Sequence, residues 1–317
     1  MSPALAVLGF DIGGQSVKAA LVDGDGVMLG HCSAVTGEAT DADGLVETLT
    51  SLRRRLAGST RVADRVGVGI AGVLDRSGTV RGAPNLPLLK GQCLQTLLGH
   101  GLGAQVVLHN DADCAALAES WGGAAEGRAD FLLLTIGTGV GSGLVLGGHL
   151  RRGSSGYGCE FGHVVIVHGG RRCGCGNRGC LEAYVSETAA RRQTQESSAA
   201  LLGAVNDHVA ACGGGFAEGL FDLGARGNSE AEQVAGSMVD VLGSAIASAV
   251  NVLDLTTIVL GGGIAPAVFA RIERLRSAVA ASLFARPVSD IELLAASRGA
   301  WAGAIGAARG ALLAVCP

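Results

Sequence analysis

The sequence predicts an α/β protein with two domains, and three observations support this prediction. The chain has 317 residues and a hydrophobic content of 48%, which is more than one ordinary core requires. Residues 5–22 contain an apolar strand, a glycine turn and a second strand, and residues 131–146 repeat this order. Such an internal repeat indicates two related halves with similar sheets. Two domains would also provide a cleft between them for ligands.

The segments around these two hairpins alternate between strands and helices. An Asp-Gly turn and a third strand occupy residues 22–31, and leucines at helical spacing predict an amphipathic helix over 43–57. Residues 65–75 predict a buried strand that ends in glycines. The other predicted elements are a helix over 91–98, a strand ending at Leu108, a helix over 112–121, mainly helices over 183–250, a strand within 255–266 and a final helix over 297–315.

A cluster of soft metal ligands follows the second hairpin. Cys173, Cys175 and Cys180 come shortly after His163, and three thiolates with one imidazole suit a closed tetrahedral zinc site. The alternative is a disulfide with a spare cysteine, which a cytosolic protein disfavours. His168 is a rival fourth ligand, and spacing alone leaves the choice between the two histidines open.

The spacing of this cluster resembles the signature of the ROK family of bacterial sugar kinases and sugar-responsive repressors. His163, nine intervening residues and Cys-x-Cys-Gly-x-x-Gly-Cys-x-Glu carry the resemblance, which extends over nearly the whole chain. It implies two RNase H-like domains with the actin-like ATPase fold of the actin, hexokinase and Hsp70 superfamily, an interdomain cleft and a structural zinc loop. We expect an N-terminal α/β domain over 1–112, completed by the C-terminal helix 299–317, and a larger C-terminal α/β domain over 113–298 that carries the zinc loop.

The resemblance also implies a sugar site and a catalytic base. Asn110 and Asp111 follow a strand, and ligands in α/β sheets gather at the carboxyl ends of strands. In the family, the aspartate of this pair is the base, although Asp111 or Asp113 could instead cap the next helix. Asn85 lies between two prolines and could be an ordinary turn residue. The residues implied to bind the sugar are Asn85, Asn110, Asp111, Glu160, His163 and Glu182.

Three glycine turns are implied to bind ATP. A glycine turn can offer backbone N–H groups to phosphates, and Asp11 is placed to hold a hydrated Mg²⁺. The alternatives are an ordinary hairpin and, at Gly261–Gly263, a plain loop between a strand and a helix. Gln15 stands where the family usually has threonine, which leaves polyphosphate open as the phosphoryl donor. The residues implied to bind the nucleotide are Asp11, Gly13, Gly14, Gln15, Lys18, Gly137, Thr138, Gly139, Gly261, Gly262 and Gly263.

These features predict an ATP-dependent hexose kinase that phosphorylates the 6-hydroxyl of a sugar. The leading candidate is a glucokinase, with ATP, Mg²⁺ and a structural Zn²⁺ as cofactors. N-acetylmannosamine and N-acetylglucosamine kinases share the same residues and remain alternatives. A sugar-responsive transcriptional regulator is disfavoured, because only ten residues precede Asp11 and we expect no DNA-binding domain.

Composition limits the expected partners. A net charge of −4 disfavours a nucleic-acid partner, which requires a basic surface. No continuous apolar run reaches the roughly 18 residues of a membrane-spanning helix. The start of the chain has no signal-peptide pattern, so we expect a cytoplasmic protein without membrane partners. Its substrate would be a hexose or an N-acetylhexosamine, and we expect a homodimer or homotetramer.

Overall fold

The structure is a computed structural model that describes residues 6–36, 41–58, 62–83 and 86–314. Asn85, predicted to contact the sugar, lies outside the described residues. Packing divides the described chain into two units. The first comprises residues within Met1–Ala129, Gly143–Cys159 and Ala296–Pro317, and the second comprises Asp130–Ser142 and Glu160–Ala295. The domain boundaries predicted from the sequence stay a prediction.

The first part of the chain folds into the predicted series of strands and helices. Its elements are β1 (Ala6–Ile12), β2 (Ser16–Val22), β3 (Met28–Val35), α1 (Ala42–Ala57), β4 (Val62–Ile70), β5 (Val73–Leu74), β6 (Val80–Gly82), α2 (Leu94–Leu102), β7 (Gln105–Asn110) and α3 (Asp111–Ser120). The sequence predicts that α2 starts at Gly91, but Gly91 has a φ of 81°, a left-handed conformation that a helix does not use. The helix therefore begins only at Leu94.

A mixed sheet forms the centre of this part, in the strand order β3-β2-β1-β4-β7. The first three strands pair antiparallel, and β4 and β7 extend the sheet in parallel with β1. Strand β1 is almost wholly buried because both of its faces are covered: Leu8, Phe10 and Ile12 pack in one apolar core, and Val7 packs in another. The carboxyl ends of β1, β4 and β7 therefore lie at the same edge of the sheet.

The rest of the chain builds a second sheet with the same plan. Its elements are β8 (Phe131–Ile136), β9 (Val140–Leu146), β10 (His149–Leu150), α4 (Glu182–Val185), α5 (Glu187–Ser197), α6 (Ala199–Cys212), α7 (Phe216–Ala225), α8 (Ser229–Leu253), β11 (Thr257–Gly261), α9 (Ala265–Phe269), α10 (Ile272–Ser282), β12 (Glu292–Ala295) and α11 (Ala302–Leu313). The strand order is β10-β9-β8-β11-β12, and β11 runs parallel to β8 and β12. The repeat seen in the sequence is therefore a repeat of sheet topology.

The last helix, α11, packs against β1 and β4 of the first sheet. Two strand glycines permit this close approach. A Cβ on Gly9 would collide with the carbonyl oxygen of Ala304, and a Cβ on Gly67 with that of Ala307. The segment just before α11 is held by the fully buried carboxylate of Glu119, which accepts hydrogen bonds from the backbone of residues 297 and 298.

Among the described helices, α8 is long and apolar enough to cross a membrane by length and composition alone. The sequence shows no continuous apolar run there, because Asp240 and several Ser and Gly residues interrupt it. Of its most apolar stretch, 56% is buried, and α8 packs against α7 and α10. A single buried helix of this kind is typical of a protein core and is weak evidence for a membrane span.

Candidate functional site

The first glycine turn joins β1 to β2 and is fixed mainly by backbone contacts. The amide of Gly13 donates to the carbonyl of Ser16 at 3.0 Å. Thr36 holds the turn from the end of β3, because its hydroxyl donates to the Gly13 carbonyl at 2.7 Å and its amide donates to the Gln15 carbonyl at 3.0 Å. Gly14 and Gln15 are exposed. The turn is thus held rigid while its tip remains accessible to a ligand.

Asp11 precedes this turn and is the acidic residue of β1. Burial and the neighbouring charge of Asp111 raise the pKa of Asp11 to about 6, against the opposing effect of Lys18. Lys18 faces Asp11 in the register of β1 and β2, and its ammonium group donates to the carbonyl of Ala300 at 2.8 Å. Two close carboxylates with one lysine leave excess negative potential, and a divalent cation would relieve it. The donor set therefore fits Mg²⁺, which prefers oxygen ligands.

Asn110 and Asp111 lie where β7 ends and α3 begins. The side chain of Asn110 caps α3, accepting a hydrogen bond from the amide of Asp113 at 2.6 Å. The alternative that Asp111 or Asp113 caps this helix is therefore wrong. Asp113 is buried and forms an ion pair with Arg152 at 3.4 Å. Asp111 is the first helical residue, and its carboxylate accepts a hydrogen bond from the adjacent amide of Ala112 at 2.9 Å.

The side chain of Asp111 is accessible to solvent although many protein atoms lie around it. Its side chain is exposed to water, yet enough protein atoms surround it for desolvation to raise its pKa above the ordinary value. An aspartate in this state can receive a substrate and holds a proton more tightly than a free carboxylate does. Asp111 therefore has the chemical properties of a general base.

Three cysteines and one histidine form a compact cluster in the second unit. The ligand atoms of His163, Cys173, Cys175 and Cys180 all lie within 4.8 Å of one another. Sγ of Cys175 is 3.7 Å from Sγ of Cys180, and Sγ of Cys173 is 3.8 Å from Nδ1 of His163. A tetrahedron with zinc–sulfur bonds of about 2.3 Å has edges of about 3.8 Å. These distances therefore fit a closed zinc site.

The local fold determines which histidine joins this cluster. His163 ends a short 3-10 turn, whereas His168 is exposed and does not belong to the cluster of described residues. A bridge between Val165 and Cys180 brings the cysteine segment back beside the histidine segment. Gly179 has a φ of 85°, and a Cβ there would collide with the carbonyl of Val167. The described cysteines are free thiols, so the disulfide alternative has no support among them.

Glu182 connects the cysteine cluster to the second glycine turn. Its Oε2 atom accepts a hydrogen bond from the amide of Val140 at 3.1 Å, and its Oε1 atom accepts one from the Cys173 thiol at 3.4 Å. Burial raises the pKa of Cys173 to about 12, so without a metal this thiol keeps its proton. Glu160 is exposed, and its carbonyl accepts from the amide of His163 at 2.9 Å. The structure thus brings Glu160, His163 and Glu182 into one local region.

The second glycine turn, between β8 and β9, is supported by the start of α5. The amide of Gly137 donates to the carbonyl of Gly139 at 2.9 Å. Glu187 donates its amide to the Gly137 carbonyl at 2.8 Å, and the Thr188 hydroxyl donates to the Thr138 carbonyl at 3.1 Å. A helix that begins against this turn holds its backbone in one conformation.

The third glycine turn follows β11 and lies beside the second. The amide of Ile264 donates to the carbonyl of Ile136 at 3.0 Å. Gly262 has a φ of 86°, and a Cβ there would collide with the backbone of Ile136. Both turns line one cavity of about 430 Å³, through Gly137, Thr138 and Gly263. Of the residues predicted to bind nucleotide, the structure therefore brings those in this unit together.

Several supporting residues escape prediction from sequence. Glu187 and Thr188 hold the second turn, and Arg152 holds Asp113 at the start of α3. The Ser186 side chain caps α5 at the amide of Ala189, a pattern that reveals the helix start in the sequence. No sequence signal shows that this helix start contacts a turn about fifty residues earlier, because that contact is created by the fold.

Comparison with known proteins places these features in context. The model of the ROK family matches residues 7–313. A glucokinase of Thermotoga maritima is 33% identical over 310 residues, covering 96% of this chain and 97% of the relative. An N-acetyl-D-glucosamine kinase of Pectobacterium carotovorum is 27% identical over 266 residues, covering 81% of this chain and 83% of the relative.

Solved structures show the same fold over the whole length. A ROK hexokinase from Thermus thermophilus is 34% identical with a TM-score of 0.79, and the match covers 98% of both chains. A ROK family glucokinase from Streptomyces griseus, solved in complex with glucose and AMPPNP, is 29% identical with a TM-score of 0.79. That match covers 97% of this chain and 99% of the other.

Proposed function

Because this chain belongs to the ROK family and is a hexose kinase, we propose that it transfers the terminal phosphoryl group of ATP to the 6-hydroxyl of glucose. Similarity to glucokinases over nearly the full length supports glucose as the acceptor. The observation that carries the reaction is Asp111, an accessible aspartate with a raised pKa that does not cap its helix.

In the proposed mechanism, the protein positions the reactants and stabilises charge, as phosphoryl transfer requires. Asp111 accepts the proton of the sugar 6-hydroxyl as that oxygen attacks the terminal phosphorus. The glycine turns at 13–15, 137–139 and 261–263 bind the nucleotide through their backbone. Mg²⁺, held through water near Asp11, would neutralise charge on the phosphate oxygens.

The proposed sugar contacts are Asn110, Glu160, His163 and Glu182, together with Asn85 as a prediction from the sequence. His163 has two proposed roles, and its two ring nitrogens make them compatible. Nδ1 lies 3.8 Å from the sulfur of Cys173, on the side of the metal cluster. Nε2 then remains to bond a sugar hydroxyl, and a metal on Nδ1 would fix the tautomer with a proton on Nε2.

We propose that the cluster of His163 and the three cysteines binds one structural Zn²⁺ per chain. Four protein ligands leave no open coordination position, so the metal has no direct part in the reaction. Elemental analysis of purified protein should give about one zinc per chain. Cys175→Ser should lose most of this zinc, while Cys93→Ser, which changes a thiol in the first unit, should retain it. A metal-free protein with full activity would disprove the proposal.

The substrate is tested by a coupled assay of ADP release with glucose, mannose, N-acetylglucosamine and N-acetylmannosamine. We expect the highest kcat/KM with glucose. A higher value with an N-acetylhexosamine would favour the alternative that the N-acetyl-D-glucosamine kinase relatives suggest. Direct measurement of sugar phosphate with polyphosphate in place of ATP tests the donor, because the side chain of Gln15 replaces the usual hydroxyl. The expected homo-oligomer, the cytoplasmic location and the absence of nucleic-acid partners stay predictions.

A further inference from the structure

A cavity of about 290 Å³ lies in the first unit, beside β7 at one edge of the first sheet. Its lining includes parts of β4, of the turn between β5 and β6, and of the segment after β10. Along β7 the lining runs from Gln105 to Leu108, so it ends before Asn110 and Asp111. The cavity is therefore distinct from the residues to which we assign the sugar and the nucleotide.

The lining of this cavity carries more positive than negative charge. Three arginines line it, Arg65, Arg76 and Arg152, and each comes from a different segment of the chain. Asp75 is the acidic residue of the lining, and Arg81 neutralises it through a hydrogen bond of 2.7 Å and an ion pair of 2.6 Å. The three guanidinium groups therefore create a positive potential that suits an anion.

The hydrogen-bond donors of the lining favour a small phosphate. Arg76 is exposed, donates to the carbonyl of Gly153 at 2.9 Å and forms no ion pair in the described part of the chain. Nε of Arg65 donates to Oε1 of Gln105 at 2.8 Å, which leaves the NH₂ group of Gln105 as a donor on the cavity wall. Guanidinium groups from several directions match a tetrahedral phosphate better than a planar carboxylate. A volume of 290 Å³ is small for a ligand site, so it favours a small phosphate over a nucleotide.

Arg152 connects the cavity to the start of α3. Its guanidinium donates to the carbonyl of Leu108 at 3.4 Å and pairs with the buried carboxylate of Asp113, with 3.4 Å between Nε and Oδ2. The Nε atom is buried and forms no hydrogen bond of good geometry within the described residues. The amide of Asp113 donates to the side chain of Asn110, which precedes the proposed base Asp111. A ligand that draws Arg152 into the cavity can therefore loosen the segment that positions Asp111.

We propose that this cavity binds a small phosphate, either inorganic phosphate or a small phosphate monoester, and that the bound anion lowers turnover by drawing Arg152 away from Asp113. Binding is argued from the cavity alone, whereas the effect on turnover rests on the proposed function of Asp111. A phosphate carries up to two negative charges and three strong acceptor oxygens at neutral pH. It therefore gives Arg152 a partner that competes with the single carboxylate of Asp113 and that Arg76 also contacts.

Arg76→Gln removes one positive charge from the cavity with little risk to the fold, because glutamine can still donate to the Gly153 carbonyl. Arg76 has no proposed part in the reaction, so turnover without phosphate should stay unchanged. The matched control is Arg151→Gln. Arg151 is also exposed, donates to a backbone carbonyl, that of Leu146, at 2.9 Å and does not line the cavity. Both variants lose one charge from the same unit, so a general effect of charge would appear in both.

Calorimetric titration with inorganic phosphate, at constant ionic strength and without sugar or nucleotide, measures binding. The wild type and Arg151→Gln should bind phosphate with the same affinity. Arg76→Gln should bind it about tenfold or more weakly, because a hydrogen bond between charged groups is lost. Phosphate bound at the glycine turns would not depend on Arg76, so equal affinity in all three proteins would overturn the proposal.

The effect on the reaction is measured as turnover at saturating ATP and glucose with rising phosphate, at constant free Mg²⁺. The kcat of the wild type and of Arg151→Gln should fall about fivefold or more, because a small displacement of the base is costly. The KM values should change little, because the anion occupies neither substrate site. Arg76→Gln should need about tenfold more phosphate for the same fall. A parallel series with glucose 6-phosphate distinguishes the two sources, because the ligand is the anion that lowers kcat at the lower concentration.

The remaining outcomes separate this proposal from the proposed function. Binding that depends on Arg76 but leaves kcat unchanged would overturn the link to α3. Inhibition that is competitive with ATP or glucose, and equal in Arg76→Gln, would place the anion among the substrate contacts and overturn the proposal. A protein that phosphorylates no sugar would overturn the proposed function, and the phosphate titrations would then decide the anion site separately.

Discussion

The two glycine-turn hairpins have the same topology but differ in the residue that precedes each turn. In the first, Asp11 and Ile12 end β1 before the turn, and in the second, Thr135 and Ile136 end β8 before the turn. The first turn therefore has a partly buried carboxylate of its own, with a pKa raised to about 6. The second has a hydroxyl residue at that position and no acidic side chain of its own.

A carboxylate does reach the second turn, but it comes from elsewhere in the sequence and is used differently. Oε2 of Glu182, at the start of α4, accepts from the amide of Val140. Asp11, beside the first turn, is desolvated and lies near the charge of Asp111. Glu182, beside the second turn, instead accepts hydrogen bonds from the Val140 amide and the Cys173 thiol. The same hairpin topology therefore has an acid in a different environment in each half of the chain. We interpret the first hairpin as the site of charge and proton chemistry and the second as a rigid support for phosphates.

The prediction with the largest expected effect concerns Asp111, the second acid on the side of the first hairpin. Asp111→Asn preserves size and polarity but removes the group that accepts the proton, so kcat should fall by a factor of roughly 10²–10⁴. Glucose binding should weaken much less, because asparagine can still bond the hydroxyl. The measurement is kcat, glucose affinity and melting temperature together.

Asn110→Asp is the control for this prediction, because aspartate also caps a helix. It should keep the melting temperature, which checks that the cap of α3 tolerates the change, whereas its turnover is not a control, because Asn110 is itself a proposed sugar contact. Near-normal turnover in Asp111→Asn would remove Asp111 from the mechanism. It would also contradict our interpretation that the first half of the chain supplies the group that accepts the proton.

Much of this comparison is available from the sequence, because it depends on local patterns. Alternating apolar residues around glycines predict both hairpins, and the cysteine spacing predicts the cluster. What the sequence does not reveal is contact between distant segments. The choice of His163 over His168 depends on how the chain folds back at Val165, and the link from Glu182 to Val140 joins residues 42 positions apart. A single glutamate such as Glu187 has no signature in the sequence, so only the fold shows what it contacts.

The second prediction tests whether the Asp11 carboxylate is held in the fold at a cost to stability. The folded pKa of about 6 exceeds the ordinary 3.8, so the folded state binds the proton more tightly than the unfolded state. Stability is therefore lost as pH rises from about 4 to about 6, by about 2–3 kcal/mol in total. Asp11→Asn has no such titration and should be more stable than the wild type at pH 7, although less active.

Chemical denaturation of both proteins at several pH values, without metal or nucleotide, provides the measurement. The two stabilities should be nearly equal below pH 4 and should diverge up to about pH 6 to 7. A difference that stayed constant across this range would show that the carboxylate is not strained by its surroundings. The first hairpin would then resemble the second more closely than we infer.

The smallest expected effect concerns a hydrogen bond that supports the turn of the second hairpin. Its removal tests whether this turn holds the phosphates of ATP. The Thr188 hydroxyl donates to the Thr138 carbonyl at 3.1 Å, near the protein surface. Thr188→Val removes this hydrogen bond with little change in shape. A bond of this kind contributes about 0.5–1.5 kcal/mol, so the KM for ATP should rise by about twofold to tenfold while kcat stays nearly constant.

Thr48→Val is the matched control for this last variant. The hydroxyl of Thr48 donates to the carbonyl of Gly44 within α1, at 2.9 Å, so the substitution removes the same kind of bond in the first unit. Both variants should lose a similar small amount of stability, but only Thr188→Val should raise the KM for ATP. Equal KM values for ATP in the two variants would show that the hydrogen bond from the start of α5 does not affect ATP binding at the second glycine turn. A fall in kcat of Thr188→Val would instead mean that the second hairpin takes part in the chemical step, which would contradict the division of tasks between the two hairpins.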